Sequence, residues 1–353
     1  MNKLHKLQSI LTDVDALLLS SQVNRRYAAG YDIAEGVAVI GRGESFYFTD
    51  SRYIEAAQNN LQGFTVQEVN RENTYAARIN AALEALGTET LGMEEEHLTH
   101  GEFLRYEKTL HAKLLPYQKQ ISAFRHVKED WEVETMVKAQ KIADRTFGEM
   151  LSVIRPGMTE KELAAELIGR LYRNGADALS FPPIVVSGPN TSLPHGVPGD
   201  RKLQYGDFVT MDFGCVVDGY CSDMTRTVAL GFVSEEMSHV YEIVLQAQAA
   251  GIAATRAGVT GREVDAAARS IIGQAGYGPY FGHGYGHSLG LEIHEAPNCS
   301  PSNDSPLPAG AVCSAEPGIY LPGKFGVRIE DVVVVTEDGC VNLTESPKNL
   351  LII

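Results

Sequence analysis

A chain of 353 residues with 44% hydrophobic side chains is too long for one ordinary core and too apolar for a disordered segment, so two domains are expected. Thirty Lys and Arg stand against 45 Asp and Glu, a formal charge of −15, and no basic run interrupts the acidic excess, which argues against nucleic acid or an anionic membrane as a partner. The apolar run near the amino terminus, Val14 to Leu19, is broken by Asp15 and is far too short for a membrane span, so a soluble cytoplasmic protein without a signal peptide is expected.

In chain order, Ala16 to Leu19, Val37 to Ile40, Ser45 to Phe48 and Thr65 to Val69 read as strands. Ser51 to Asn60, Tyr75 to Leu86 and Gly101 to His111 carry helical spacing. This alternation predicts an α/β domain over residues 1–122, with the polar stretch Gln118 to Lys128 as a linker into a second domain over 123–353.

The second domain opens with a helical pattern (Val133, Met136, Val137, Ile142) that runs from Asp130 to Ile154 and stops at Arg155-Pro156-Gly157. Thr159 and Glu162 then form a capping box, in which the hydroxyl accepts the amide of Glu162 while that carboxylate reaches back, and a helix follows to Gly175. The arrangement recurs: Arg155, Gly157, Thr159, Glu162 and Ala165 match Arg256, Gly258, Thr260, Glu263 and Ala266 at a constant offset of 101 residues. Turn and capping residues recur in unrelated proteins, but a register shared over five positions favours an internal duplication with a pseudo-twofold axis. A cleft on such an axis is a natural place for a site.

Between the two copies lies Thr210-Met211-Asp212-Phe213-Gly214-Cys215-Val216-Val217-Asp218-Gly219-Tyr220-Cys221-Ser222-Asp223-Met224-Thr225. Asp218-Gly219 between two β-prone runs is a two-residue hairpin signal, because both central residues of a type I′ turn need positive φ. Counting back from that turn places Asp212 opposite Thr225 and Gly214 opposite Asp223, so Asp212 and Asp223 share a face as diagonal neighbours. Cys221 falls on their face and Cys215 on the other. The five cysteines form no CxxC pair and are odd in number, which fits neither a disulfide framework nor a thiolate zinc site.

Two neighbouring carboxylates repel unless one is protonated or a cation lies between them. Alone they read equally as solvated strand residues. Three further segments add to them: Gly282-His283-Gly284-Tyr285-Gly286-His287-Ser288, with two imidazoles four apart among glycines; Ala315-Glu316-Pro317-Gly318; and Val327-Arg328-Ile329-Glu330-Asp331, a charged triplet within a β-rich run. Four carboxylates and an imidazole make an oxygen-rich, thiolate-free set. It suits a pair of divalent ions such as manganese or cobalt, and two adjacent metals provide a hydroxide at neutral pH and polarise a carbonyl, as expected of a hydrolase.

These residues, within TMDFGCVVDGYCSDMTRT, GHGYGHSLGLEIHEAP, AEPGIY and GVRIED, resemble the aminopeptidase P and prolidase branch of the dinuclear metallopeptidases with the pita-bread fold. The resemblance covers essentially the whole chain, including NRRYAAGY and YFTDSRY in the first domain. It implies a creatinase/prolidase-like α/β N-terminal domain and an α+β pita-bread C-terminal domain with internal pseudo-twofold symmetry. It also implies two divalent ions, manganese first with cobalt or zinc as alternatives: Asp212 on one, His287 and Glu316 on the other, and Asp223 and Glu330 bridging. His195, His283 and His294 match family histidines that contact substrate or move protons, and Glu316 is a candidate proton shuttle. Arg328 matches an arginine that either binds substrate or pairs with Asp212 or Glu330. Ser288 stands where many relatives have glycine. Phe181 and Tyr220 are open between pocket lining and core packing.

The function implied is hydrolysis of the bond between an N-terminal residue and a following proline. An Xaa-Pro aminopeptidase is ranked ahead of an Xaa-Pro dipeptidase (prolidase), because the short first domain and the motif flanks resemble compact bacterial members of that type. A non-catalytic peptide-binding homologue or a metal-free creatinase-like enzyme should lack some of the five ligands, and all five are present. Proline-containing peptides and a second copy of the chain, as a homodimer, are the expected partners.

Overall fold

The computed structural model describes residues 3–353; residues 1 and 2, at the start of the first expected domain, lie outside the described residues. It divides into two compact units, one ending at Arg125 and the other spanning His126–Ile353. Among the described residues no helix is long and apolar enough to cross a membrane.

The chain begins with α1 (Lys3–Ser9), β1 (Ala16–Leu19), α2 (Gln22–Ala29), β2 (Val37–Gly41), β3 (Ser45–Thr49), α3 (Ile54–Asn60), β4 (Thr65–Glu68), α4 (Tyr75–Leu86), β5 (Thr90–Met93), α5 (His100–Thr109), β6 (Lys113–Pro116) and α6 (Gln118–His126). The six strands form one sheet in the order β4-β3-β2-β1-β5-β6, parallel except where β2 runs against both β1 and β3. All four residues of β1 are buried, as its continuous apolar run requires of a strand covered on both faces. The edges carry Glu68, Lys113 and Pro116, which discourage further pairing.

The expected linker is instead largely helix. Gln118 to His126 looks polar, but Ile121 and Arg125 are one turn apart and buried, and Arg125 donates to Asn24 Oδ1 at 3.0 Å. A narrow stripe suffices to seat a short helix, and a composition average cannot show it. α2 hides for the same reason, because it buries Asn24 and Arg25 alongside Tyr27 and Ala28.

The second unit continues with α7 (Asp130–Met150), α8 (Glu160–Arg173), β7 (Ala178–Leu179), β8 (Ile184–Ser187), β9 (Phe208–Phe213), β10 (Cys215–Val217), β11 (Tyr220–Cys221), β12 (Met224–Ala229), α9 (Glu235–Ala254) and α10 (Gly261–Gln274). Then come β13 (Gly286–Ser288), β14 (Glu295–Cys299), β15 (Val312–Ala315), β16 (Gly318–Leu321), β17 (Phe325–Arg328), β18 (Asp331–Val335) and β19 (Cys340–Asn342). α7 ends at Met150 rather than Ile154, where the amides of Val153 and Ile154 both fold back onto the Met150 carbonyl.

The duplication is visible in the backbone. Both capping boxes form, at Thr159/Glu162 and Thr260/Glu263. Gly157 (φ 87°) donates to Leu203 O and Gly258 (φ 82°) to Leu307 O, each at 2.9 Å, and the amides of Leu203 and Leu307 answer on Met158 and Val259 at 2.8 Å. Each half presents antiparallel strands to the middle: β8-β9-β12 in the first, and β13, β15 and β18 in the second. One core lies under α7 and α8 (Phe147, Leu163, Leu167, Met211, Phe213), and a second under α9 and α10 (Val240, Val244, Val264, Ile272, Val333).

Candidate metal centre

The hairpin register places the first pair of carboxylates. Val217 pairs with Tyr220 and Asp212 with Thr225, in the same count throughout, and the turn residues Asp218 and Gly219 have φ of 46° and 81°. The ladder opens at Gly214, where a Cβ would lie 1.9 Å from Ser222 O. Only glycine lets the two strands approach there, just before Asp223 turns inward. Asp212 and Asp223 accordingly line one cavity, while Cys215 packs under α7 and Cys221 joins a separate cluster with Met136 and Leu289. All five cysteines are thiols.

The second half supplies the mates. Glu316 follows β15, Glu330 precedes β18, and His287 projects from β13 beside them. His287 Nε2 lies 3.3 Å from Glu316 Oε1 and 3.6 Å from Asp223 Oδ2. Ligating atoms of Asp223, His287 and Glu330 all fall within 4.8 Å of one another. The cavity around them has a volume of about 600 Å³ and is also lined by Asp212, Glu316, His195, His283, His294 and Arg328, with Phe181, Ile293 and Val197 as apolar wall.

Electrostatics here are poor for a protein alone. Burial first, and Asp212 next, push the Asp223 carboxyl well above its ordinary range; burial and Asp223 do the same to Glu330. Burial also raises Glu316, and it lowers His287, His283 and His294, which favours neutral imidazoles. Among the described residues, Asp223 Oδ1 and Glu330 Oε1 are buried side-chain atoms without a hydrogen-bond partner. Buried carboxylate oxygens without donors, facing one another across a cavity with a neutral imidazole beside them, fit divalent cations.

Arg328 sits among these acids. Its NH2 pairs with Asp212 Oδ2 at 2.5 Å, Nε donates to Thr225 Oγ1 at 3.0 Å, and NH1 donates to Tyr320 OH at 2.9 Å and to Pro194 O at 3.3 Å. Tyr320 OH also meets His283 Nε2 at 2.9 Å, and His283 Nδ1 lies 2.8 Å from Gly284 O. Both nitrogens of His283 are therefore engaged, whereas His294 has no hydrogen bond among the described residues and stands edge-on to His287, with ring centroids 4.4 Å apart. Tyr220 turns to the core, its hydroxyl donating to Glu132 at 2.7 Å, while Phe181 lines the cavity. Ser288 is fully buried and donates to Pro297 O at 2.6 Å, away from the ligands.

Sequence reasoning passes over three orienting residues. Thr225 donates to Glu330 Oε2 at 2.6 Å, Ser314 donates to Glu316 Oε1 at 3.1 Å and receives the His287 amide at 3.0 Å, and Tyr320 joins His283 to Arg328. Such partners fix ligand rotamers. Thr225 opposite Asp212 was readable from the hairpin count; Ser314 and Tyr320 look like ordinary strand residues. Behind the site, fully buried Asp331 receives Arg226 NH2 and Lys348 Nζ at 2.7 Å each, Gln248 Nε2 at 3.0 Å and Asn342 Nδ2 at 2.7 Å. Arg226 NH1 donates to Glu330 O at 2.5 Å.

A two-unit chain whose second unit carries a duplicated half around four acids and a histidine is a pita-bread metallopeptidase. The family model for metallopeptidase family M24 matches residues 134–337, and that for the creatinase/prolidase N-terminal domain matches 3–127. The chain belongs to metallopeptidase family M24. It is similar to the solved structure of an Xaa-Pro dipeptidase from Bacillus anthracis (39% identity, 99% of each chain, TM-score 0.96) and to that of an X-Pro aminopeptidase from Thermotoga maritima (36%, 100% of each chain, TM-score 0.93). In sequence it is also 34% identical to the Xaa-Pro dipeptidase of Pyrococcus furiosus over 99% of each.

Proposed function

We propose that the chain is a metal-dependent Xaa-Pro dipeptidase. The observation that carries the reading is the convergence of Asp212, Asp223, His287, Glu316 and Glu330 on one cavity in which two carboxylate oxygens lack donors. Those five residues would hold two divalent ions, manganese first among the candidates because carboxylate oxygen dominates the set. When bound, the ions supply an activated water and Lewis-acid polarisation of the scissile carbonyl.

The remaining work falls to side chains. His294, at the cavity wall and without a hydrogen bond among the described residues, donates toward the oxygen that becomes negative in the transition state. Glu316, held by Ser314 beside His287, takes the proton that the attacking water gives up and passes it to the departing proline nitrogen, which has no hydrogen of its own. His195 and Arg328 border the substrate, and Phe181, Ile293 and Val197 offer apolar surface to the proline ring.

The order of the two closest activities reverses the sequence-based ranking. Relatives named Xaa-Pro dipeptidase at 39% and 34% identity over nearly the whole chain favour the dipeptide. One observation favours the aminopeptidase: a dipeptide's carboxylate needs a cation or donors beyond the proline, and Arg328, the arginine lining the cavity, already serves Asp212, Thr225 and Tyr320. Steady-state kinetics separate the two. The dipeptidase reading expects kcat/KM for Xaa-Pro to exceed that for the matching Xaa-Pro-Xaa by at least about tenfold; equal or better cleavage of the tripeptide establishes the aminopeptidase.

The thiol state of all five cysteines suits a reducing cytosol, which is where we place the enzyme. We also propose a homodimer. Light scattering should give twice the chain mass of a 353-residue monomer across dilution, and a concentration-independent monomer would refute the assembly while leaving the chemistry untouched.

A further inference from the structure

The turn that carries His294 is anchored by an ion pair with no part in the chemistry above. Lys128 Nζ lies 3.0 Å from Glu295 Oε2, with each side chain only 2% exposed. Removing two such charges from water is costly, and their attraction repays this only when the geometry is well held. The geometry is well held here. The Lys128 amide donates to Gly310 O at 2.9 Å, and the other oxygen of Glu295 accepts the Glu292 amide at 3.2 Å, closing the turn in which His294 sits.

Two glycine details show that the surroundings are shaped for this pair. A Cβ on Gly290 would stand 2.9 Å from both Glu295 Oε2 and Lys128 Cε, so a larger residue there would push both members of the bridge. Gly290 also donates to Glu292 O at 2.9 Å and accepts the Cys221 amide at 2.7 Å, which ties the same turn to the strand leading into Asp223. The pair thus lies where three segments cross: the entry to α7, the turn of residues 290–295, and the hairpin that bears a candidate metal ligand. His294, next in sequence to Glu295, has no hydrogen bond of its own among the described residues, so its placement against His287 depends on the backbone that Glu295 pins.

We infer that Lys128 is a positioning residue: paired with Glu295, it fixes the turn that aims His294 into the cavity. The inference rests on the reading of His294 as the group that meets the substrate oxygen, and it adds a residue 166 positions away in sequence that the five-ligand pattern does not contain.

The test replaces both charges with apolar side chains of similar size, Lys128→Met with Glu295→Leu, so that neither member of the pair is left buried without the other. With metal content at the wild-type level, kcat for an Xaa-Pro substrate should fall by about 10- to 100-fold while KM stays within about twofold, the signature of a lost transition-state contact. In a His294→Ala background the same double change should cost nothing further, because it acts through His294. Losses that multiply in that background, or an unchanged kcat, overturn the inference. A readout free of substrate guards against error in the proposed activity: the His294 imidazole signal in a 1H–13C spectrum, assigned with His294→Ala, should shift and broaden in K128M/E295L. An unmoved signal refutes the positioning role whatever the enzyme cleaves. Absence of Xaa-Pro hydrolysis by wild-type protein refutes the substrate reading instead.

Discussion

Glu330→Gln and Asp223→Asn should each lower turnover by three or more orders of magnitude and release metal, while leaving the metal-free protein at least as stable as wild type. The two halves of that expectation share a cause. In the absence of cations, Asp223 and Glu330 are buried together, each with an oxygen that no donor meets, and burial first, with Asp212 acting on Asp223 and Asp223 acting on Glu330, drives both carboxyls well above their ordinary range. An amide keeps the shape and removes the repulsion, so the empty fold loses strain; the same change removes the charge that gathers two divalent ions. In Glu330→Gln, Thr225 would still donate to position 330 and hold the side chain in place, so a loss of metal there reports the lost charge. Metal analysis, chelator-treated thermal melts and steady-state rates measure the three quantities. Full occupancy with near-normal turnover in either variant would remove the residue from the ligand set.

Asp331→Ala should be the most destabilising single change near the site, by about 3–5 kcal/mol, because it strands the cations Arg226 and Lys348 beside a fully buried position. Urea denaturation of the metal-free protein measures it, and a loss under about 1 kcal/mol would mean that water or a rearranged tail compensates the charges. The pH dependence follows from the same pair. Burial opposes the charge on Asp331, but Arg226 and Lys348 outweigh it and hold the carboxyl below its ordinary value of 3.8. A carboxylate depressed in the folded state contributes stability above its unfolded value and loses it as pH falls through the folded value. This pair should therefore be silent between pH 8 and 5 and weaken only below about 4. If the wild-type advantage over Asp331→Asn disappears already near neutrality, the charge is not what Arg226 and Lys348 hold.

The parts of the fold legible in the sequence are those fixed by local rules. The Asp218-Gly219 turn sets a register by counting, and both capping boxes announce helix starts that form as expected. The four candidate carboxylates stand out because acids inside β-rich runs conflict with burial unless something pairs them, whereas His287 is singled out by its glycine-rich segment and the family resemblance. What the sequence hides is decided by partners far along the chain. α2 and α6 bury arginines that Ser20, Tyr47, Ile33, Ala34 or Asn24 satisfy, so each looks too polar for a core helix. Tyr320 and Ser314 are plain strand residues until His283, Arg328 and His287 are placed beside them. Lys128 resembles any lysine at a helix approach, and only its meeting with Glu295 gives it a role.

The repeated half carries an evolutionary consequence. Each copy contributes two acids to the middle, Asp212 and Asp223 from one, Glu316 and Glu330 from the other, so two identical short chains associated about a twofold axis would already bring four carboxylates together. What such a pair could not do is place a single imidazole on one side, since symmetry would repeat it on the other. His287, supplied by the second copy alone, breaks that symmetry: it stands beside Asp223 and Glu316 and gives the acid cluster an imidazole on one side only, a distinction that a perfectly symmetric pair of subunits cannot express.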